Sequence, residues 1–228
     1  MSHTCWTNIF TNKHSAMKAL LIGATGSTGK FLLNELIQDD DYTSVTIFVR
    51  RTTGRSHPKL TEHVIDFENI PQYSQYIMGD VLFSCLGTTL KDAGSKQKQW
   101  EIDFGIPAQF AKIARQNRVS SIVLVSSSDA SPNSRIFYSR MKGELETTIA
   151  ELDFGQYIIF RPGPLLRQGT DRAGEKVLVK AVDFFNNIGL LKKYKPLPTE
   201  ILAMKLAKAP WKLPQGTSVI KLQEIAGF

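Results

Sequence analysis

Tyr138 and Lys142 are one helical turn apart, so a helix through this stretch presents a phenol and an ammonium on the same face. A free phenol has a pKa near ~10, too high for proton transfer at neutral pH. An adjacent ammonium stabilises the phenolate and brings the group into a useful range. Ser126, Ser127 and Ser128 end the apolar run Ile122-Val123-Leu124-Val125, ten to twelve residues before Tyr138. A hydroxyl there can polarise a carbonyl as hydride reaches its carbon, after which Tyr138 protonates the alkoxide. A Tyr-x-x-x-Lys pair alone is usually a contact between helical neighbours on a surface. Its place after a serine-tipped strand points instead to carbonyl reduction.

Such chemistry needs a hydride donor, and the stretch from Ala19 to Ile37 is built to hold one. Ala19-Leu20-Leu21-Ile22 reads as a strand buried on both faces, and Phe31, Leu32, Leu33, Leu36 and Ile37 recur at helical spacing. Between them, Gly23 permits the positive φ of a tight turn, Gly26 leaves the backbone open to a pyrophosphate, and Gly29 lets the helix pack close to the strand. Ser27 or Thr28 is placed to cap that helix, whose free N–H groups and positive dipole end face an anion. Together these are the parts of a dinucleotide-binding turn. A second strand, Val45-Thr46-Ile47-Phe48-Val49, runs directly into Arg50 and Arg51. NAD-selective proteins carry an acid there for the ribose hydroxyls, whereas arginine matches a 2′-phosphate, so the expected cofactor is NADP(H). Asp66, in a short third strand His63–Phe67, is placed to accept from the adenine amine. Leu86, Gly87 and Thr88, leaving the fourth strand that starts at Val81, are placed along the phosphates and ribose.

The remaining elements complete the alternation. Ile102, Ile106, Phe110, Ile113 and Ala114 predict a helix, Ile122–Val125 a fifth strand, residues 134–152 a helix carrying Tyr138, and Tyr157–Phe160 a sixth strand. Arg161 to Leu166 reads as a rigid proline-containing loop, Glu175 to Lys195 as a helical then basic wall of a substrate pocket, and Thr199 to Ala209 as a helix ended by Pro210. Ser218-Val219-Ile220 then reads as an edge strand before a closing turn of helix near Glu224 and Ile225. Strands separated by helices imply an α/β fold with a doubly wound parallel sheet. The expected organisation is an extension over residues 1–16, then a single NAD(P)-binding domain over residues 17–228 with a small C-terminal annex on the substrate side.

Composition narrows the function classes. At 228 residues the chain can bury one large core, and no apolar run approaches the ~18 residues of a membrane-spanning helix. The first residues lack the charged start and apolar centre of a secretory signal. With only two cysteines, Cys5 and Cys85, no disulfide framework is expected, and a reducing cytoplasm fits. The four histidines show no ligand spacing, so no metal is expected. A net charge of +7 raises nucleic acid as a partner, but the basic residues fall in separate groups, Arg50, Arg51, Arg55 and Lys59 in one and Lys192, Lys193 and Lys195 in another. A polyanionic cofactor accounts for the first group better than a nucleic-acid surface does.

The order of motifs resembles the atypical short-chain dehydrogenases/reductases of the Tat-interacting oxidoreductase type, a branch near the NmrA-like proteins. The resemblance runs from about Lys18 to Phe228. It rests on Gly-Ala-Thr-Gly-Ser-Thr-Gly from Gly23, Val-Arg-Arg ending at Arg51, Cys-Leu-Gly-Thr-Thr from Cys85, Val-Ser-Ser-Ser from Val125, Tyr-Ser-Arg-Met-Lys-Gly-Glu from Tyr138, and Phe-Arg-Pro-Gly from Phe160. It implies a Rossmann fold with NADPH along the carboxyl edge of the sheet. Thr25, Gly26, Ser27 and Thr28 carry over to the pyrophosphate, Arg50 and Arg51 to the 2′-phosphate, and Leu86 and Gly87 to the fourth-strand contact. Tyr138 and Lys142 carry over as the active pair, with Ser127 as the serine and Ser126 and Ser128 as alternatives. Leu165 and Arg172 match positions that touch the cofactor in similar proteins, with Arg167 a rival for the second. The implied activity is NADPH-dependent reduction of a small carbonyl substrate. The alternative is an NADPH-binding redox sensor or regulator that acts on a protein partner.

Overall fold

Strands as apolar as these must be covered on both faces, and they are. The computed structural model describes residues 16–166 and 197–228. Residues 1–15 of the expected extension, Arg167, Arg172 and the expected Glu175–Lys195 wall lie outside the described residues. In chain order the elements are β1 (Met17–Ile22), α1 (Gly29–Gln38), β2 (Tyr42–Val49), β3 (Leu60–Val64), a 3-10 turn (Ile70–Tyr76), β4 (Val81–Ser84), α2 (Leu90–Ala93) and α3 (Lys96–Trp100). A π-helical stretch (Glu101–Gly105) then leads into α4 (Ile106–Gln116), β5 (Ser121–Val125), α5 (Phe137–Ala150), β6 (Gln156–Arg161) and β7 (Leu165–Leu166). The chain closes with β8 (Leu197–Pro198), α6 (Thr199–Lys212), β9 (Gly216–Lys221) and α7 (Leu222–Ile225).

The main sheet has seven parallel strands in the order β3-β2-β1-β4-β5-β6-β9, and β7 pairs with β8 separately. Side chains alternate between its faces. Leu21, Ile47, Phe83, Val123 and Phe160 pack with Leu32 and Leu36 of α1 and Leu202 and Leu206 of α6. Leu20, Ile22, Leu82, Ile122 and Leu124 pack on the other side with Phe110 of α4 and Leu145 and Ile149 of α5. The doubly wound Rossmann architecture is therefore present, and the strand order reverses between β1 and β4, where ligands bind beyond the carboxyl ends in such sheets.

Three local readings are corrected. The third strand is Leu60–Val64, earlier than expected, because the carboxylate of Asp66 captures the N–H of Glu68 at 2.9 Å and the side-chain amide of Asn69 at 2.6 Å, turning the chain out of the ladder. The expected helix through Ile102 is interrupted by the π-helical stretch that ends just before α4. Pro107 has no N–H, and its ring crowds the carbonyl four residues back, at Asp103, so the turn opens there. Pro210 does not end α6, which continues to Lys212. The side-chain amide of Gln156 donates to the carbonyls of Pro210 at 3.1 Å and Leu213 at 2.8 Å, tying the helix end to β6.

Candidate functional site

The glycine turn fits β1 against β4 with no space to spare. Gly23 has φ of +84°, and a Cβ on it would stand 2.7 Å from the carbonyl carbon of Cys85 and 2.8 Å from the nitrogen of Leu86. A Cβ on Gly29 would come within 1.9 Å of the Gly23 carbonyl oxygen. The Gly26 N–H donates to that oxygen at 2.9 Å, closing the turn. Neither expected side-chain cap forms. Thr28 occupies the cap position with helical backbone angles and a buried side chain, and its carbonyl accepts from Phe31 at 3.1 Å and Leu32 at 3.0 Å. The first N–H groups of α1 consequently have no capping hydroxyl, as an anion site requires. Thr25 and Gly26 are exposed beside them and Ser27 is half-buried.

Arg50 and Arg51 follow β2 directly, and both are exposed. Arg50 borders a cleft of about 1080 Å³ that Ile65, Asp66, Phe67, Ile102 and Ile106 also line. Asp66 lies at its rim with each carboxylate oxygen already engaged, one by Glu68 and one by Asn69, and these bonds hold its carboxyl below the usual range. The serines, Tyr138 and Lys142 do not line this cleft.

Lys142 lies at the exit of β4, and the serines lie at the exit of β5. Lys142 is only 2% exposed, and its Nζ donates to the Leu86 carbonyl at 3.4 Å. Tyr138, one turn earlier on α5, is 36% exposed. After β5, the Ser126 N–H donates to Phe160 at 2.8 Å and the Ser128 N–H to Pro162 at 3.0 Å, so the serines continue alongside β6. Among the described residues the Ser126 hydroxyl is enclosed without a partner, whereas Ser127 and Ser128 are half-buried. Leu86 and Thr88 are half-buried and Gly87 is exposed. Leu165 is half-buried in β7, next to Pro164, whose carbonyl accepts from Leu197 at 3.1 Å.

Three supporting residues escape a reading of the sequence alone. Asp103 is fully buried, and its Oδ1 accepts the Thr88 N–H at 2.8 Å while Gln99 donates to the Thr88 carbonyl at 3.1 Å, clamping the β4 exit from both sides. Burial raises the Asp103 carboxyl pKa, and Lys142 and the Thr88 N–H oppose that rise. The proline four residues later is the signal that could have found it. Burial likewise pushes the Cys85 thiol up to about 12 against the opposing charge of Lys142, so the cysteine stays a thiol. Gly143 follows Lys142, and a Cβ there would strike the Ser131 carbonyl carbon at 2.2 Å and the Pro132 nitrogen at 2.3 Å. Ser131 also donates to the Ser139 carbonyl at 3.0 Å, docking the loop after the serines onto α5. A lone glycine inside a helical pattern was its signal. Glu62 is the third, in the turn that carries the arginines.

The sequence profile of an NAD(P)H-binding family matches residues 23–187. The mitochondrial protein FMP52 of Saccharomyces cerevisiae is 36% identical over 159 residues, covering 68% of this chain and 68% of its own. Protein HTATIP2 of Rattus norvegicus is 34% identical over 150 residues, 64% of this chain and 62% of that protein. Among solved structures, the Bordetella bronchiseptica enzyme WbmH in complex with NAD+ superposes with a TM-score of 0.65 at 14% identity, over 90% of this chain and 76% of that one. At that identity the likeness bears on the fold alone. Among the described residues, no helix is long and apolar enough to cross a membrane, and no cluster of three or more potential metal ligands occurs.

Gly143→Ala is expected to cost about 1–3 kcal/mol of stability, because its methyl overlaps backbone that cannot move without lifting the Ser131 loop from α5. Urea denaturation checks this; an unchanged midpoint would show that the loop does not depend on the close approach.

Proposed function

The chain belongs to the NAD(P)H-binding family, and on that premise we propose that it is an NADP(H)-dependent oxidoreductase of the short-chain dehydrogenase/reductase type, reducing a small carbonyl substrate at Ser127, Tyr138 and Lys142. One observation carries the reading. The Cys85–Leu86 backbone meets both the glycine turn and the ammonium of Lys142, so the phosphate cradle and the ionisable helix share one sheet edge.

The residues fit the cofactor. A Cβ at Gly23 or Gly29 would collide with the Cys85 backbone or the Gly23 carbonyl, so the turn closes only with glycine at both, and the N–H groups of Thr25, Ser27 and Thr28 beside Gly26 suit the pyrophosphate. Arg50 and Arg51 suit the 2′-phosphate. A carboxylate offers more lone pairs than two hydrogen bonds use, so Asp66 can still accept from the adenine amine. Leu86, Gly87 and Thr88 follow the ribose and phosphates, and Leu165 borders the nicotinamide end. Bound there, NADPH supplies the hydride. Among the described residues, the Leu86 carbonyl is the hydrogen-bond acceptor of the buried Lys142 ammonium, which leaves its other N–H groups for ribose hydroxyls. Tyr138 gives its proton to the carbonyl oxygen, and Ser127 donates a hydrogen bond to that oxygen as charge builds on it. Ser127 is preferred because the Ser126 hydroxyl is enclosed. For the compartment we propose the cytoplasm, where the thiol of Cys85 stays reduced; the word mitochondrial belongs to the yeast relative's name.

Replacing Arg50 and Arg51 together by alanine is expected to weaken NADPH binding by about 1.5–3 kcal/mol while leaving NADH nearly unchanged, as read by fluorescence titration. Equal affinity of the unaltered protein for both cofactors would overturn the NADP(H) assignment. In a carbonyl panel, Tyr138→Phe and Ser127→Ala are each expected to lower kcat by about 10²–10⁴, with Ser126→Ala near the parent rate. Tight NADPH binding without turnover on any carbonyl would favour a regulator acting on a protein partner.

A further inference from the structure

The turn after β2 carries Arg50, Arg51 and Arg55, and the carboxylate of Glu62 in β3 binds the Thr52 and Thr53 residues of that turn. A carboxylate bound to an arginine-rich turn is a natural ion-pair partner for that turn's guanidiniums. This one is taken up by threonines. Glu62 Oε1 accepts from the Thr52 hydroxyl at 2.6 Å, and Oε2 accepts from the Thr53 N–H at 3.0 Å and from the Thr53 hydroxyl. The Thr53 N–H also reaches Oε1 at 3.2 Å. Each hydroxyl then accepts a backbone N–H, Thr52 from Gly54 at 3.2 Å and Thr53 from Arg55 at 3.3 Å. Gly54 takes a φ of +67°, which lets the chain fold back, and Arg55 Nη1 donates to Asn34 of α1 at 2.7 Å. Burial pushes the Glu62 carboxyl up, but these donors outweigh it and hold the group below its ordinary range. Among the described residues, no carboxylate lies within ion-pair distance of Arg50, Arg51 or Arg55.

We propose that Glu62 is a positioning residue for cofactor choice: by binding Thr52 and Thr53 it fixes the turn in one shape and leaves the guanidiniums of Arg50 and Arg51 unpaired, ready for a phosphomonoester on the adenosine ribose. This rests on the NADP(H) reading above. The turn would otherwise have to be ordered when the phosphate binds, at a cost for each side chain immobilised. Glu62 never touches the phosphate, and as an anion near it would repel it; its contribution comes only through the backbone it holds. Glutamine at this position keeps one acceptor oxygen for the threonines, whereas alanine keeps none.

The test is titration of NADPH and NADH into the full chain and into Glu62→Ala and Glu62→Gln, with thermal unfolding measured alongside. Glu62→Ala is expected to weaken NADPH about five- to tenfold and to leave NADH within about twofold, with Glu62→Gln between it and the parent. An unchanged ratio of the two affinities overturns the proposal, whether both are unchanged or both fall together. A stronger NADPH preference in Glu62→Ala overturns it too, because the carboxylate would then act by repulsion. Failure of the parent reading looks different: the unaltered protein would itself bind the two cofactors equally.

Discussion

The backbone at Cys85 and Leu86 is the constraint on which the site depends. It leaves β4 beside the turn after β1 and helix α5, and both press on it. Gly23 approaches so closely that no side chain other than glycine's hydrogen fits. Lys142 brings its ammonium to the Leu86 carbonyl. Moving this peptide would widen the cradle and remove the lysine's acceptor together. The Asp103 and Gln99 bonds to Thr88 hold the same segment two residues further on, so the exit is fixed along its length by groups from three elements.

Burying an ammonium and a carboxyl at this edge is costly, and the surroundings offset the cost in different ways. Lys142 donates to a carbonyl, while burial raises the Asp103 carboxyl pKa against the opposing Lys142 charge and Thr88 N–H. At the neighbouring strand end the arrangement is a full ion pair, with Arg161 reaching both oxygens of Glu146 at 3.0 and 2.5 Å. That pair fastens the end of β6 to α5, and the Tyr157 hydroxyl adds a bond to the Glu146 carbonyl at 3.2 Å. Helix α5 is thereby held from the sheet below and from the Ser131 loop beside Gly143.

Much of this architecture is legible in the sequence, because strands covered on both faces need long apolar runs and the three glycines leave few backbone alternatives. The alternation of strands and helices and the doubly wound parallel sheet follow from those signals. What resists such reading is set by tertiary contacts. Asp66 ends β3 early by bonding its own downstream backbone, and Pro107 opens a π-helical turn that drives Asp103 inward. Thr28 sits in the cap position with its side chain in the core, because the turn's own backbone bonds already fix it. Glu62 looks like one more solvated charge in a β-strand until the turn above it is folded. The Ser126 hydroxyl, enclosed while its neighbour is not, depends on pairing with β6 that no spacing in the serine run reveals.

The proposed function has the cradle and the Tyr138 helix serve one hydride transfer. The most direct measurement is the fate of deuterium placed at C4 of the nicotinamide of NADPH, followed by mass spectrometry in the presence of a carbonyl panel. Label is expected to move to the carbinol carbon of a product, and Tyr138→Phe to slow this transfer while still binding the cofactor. Saturating NADPH binding with no label leaving the cofactor for any carbonyl would contradict it.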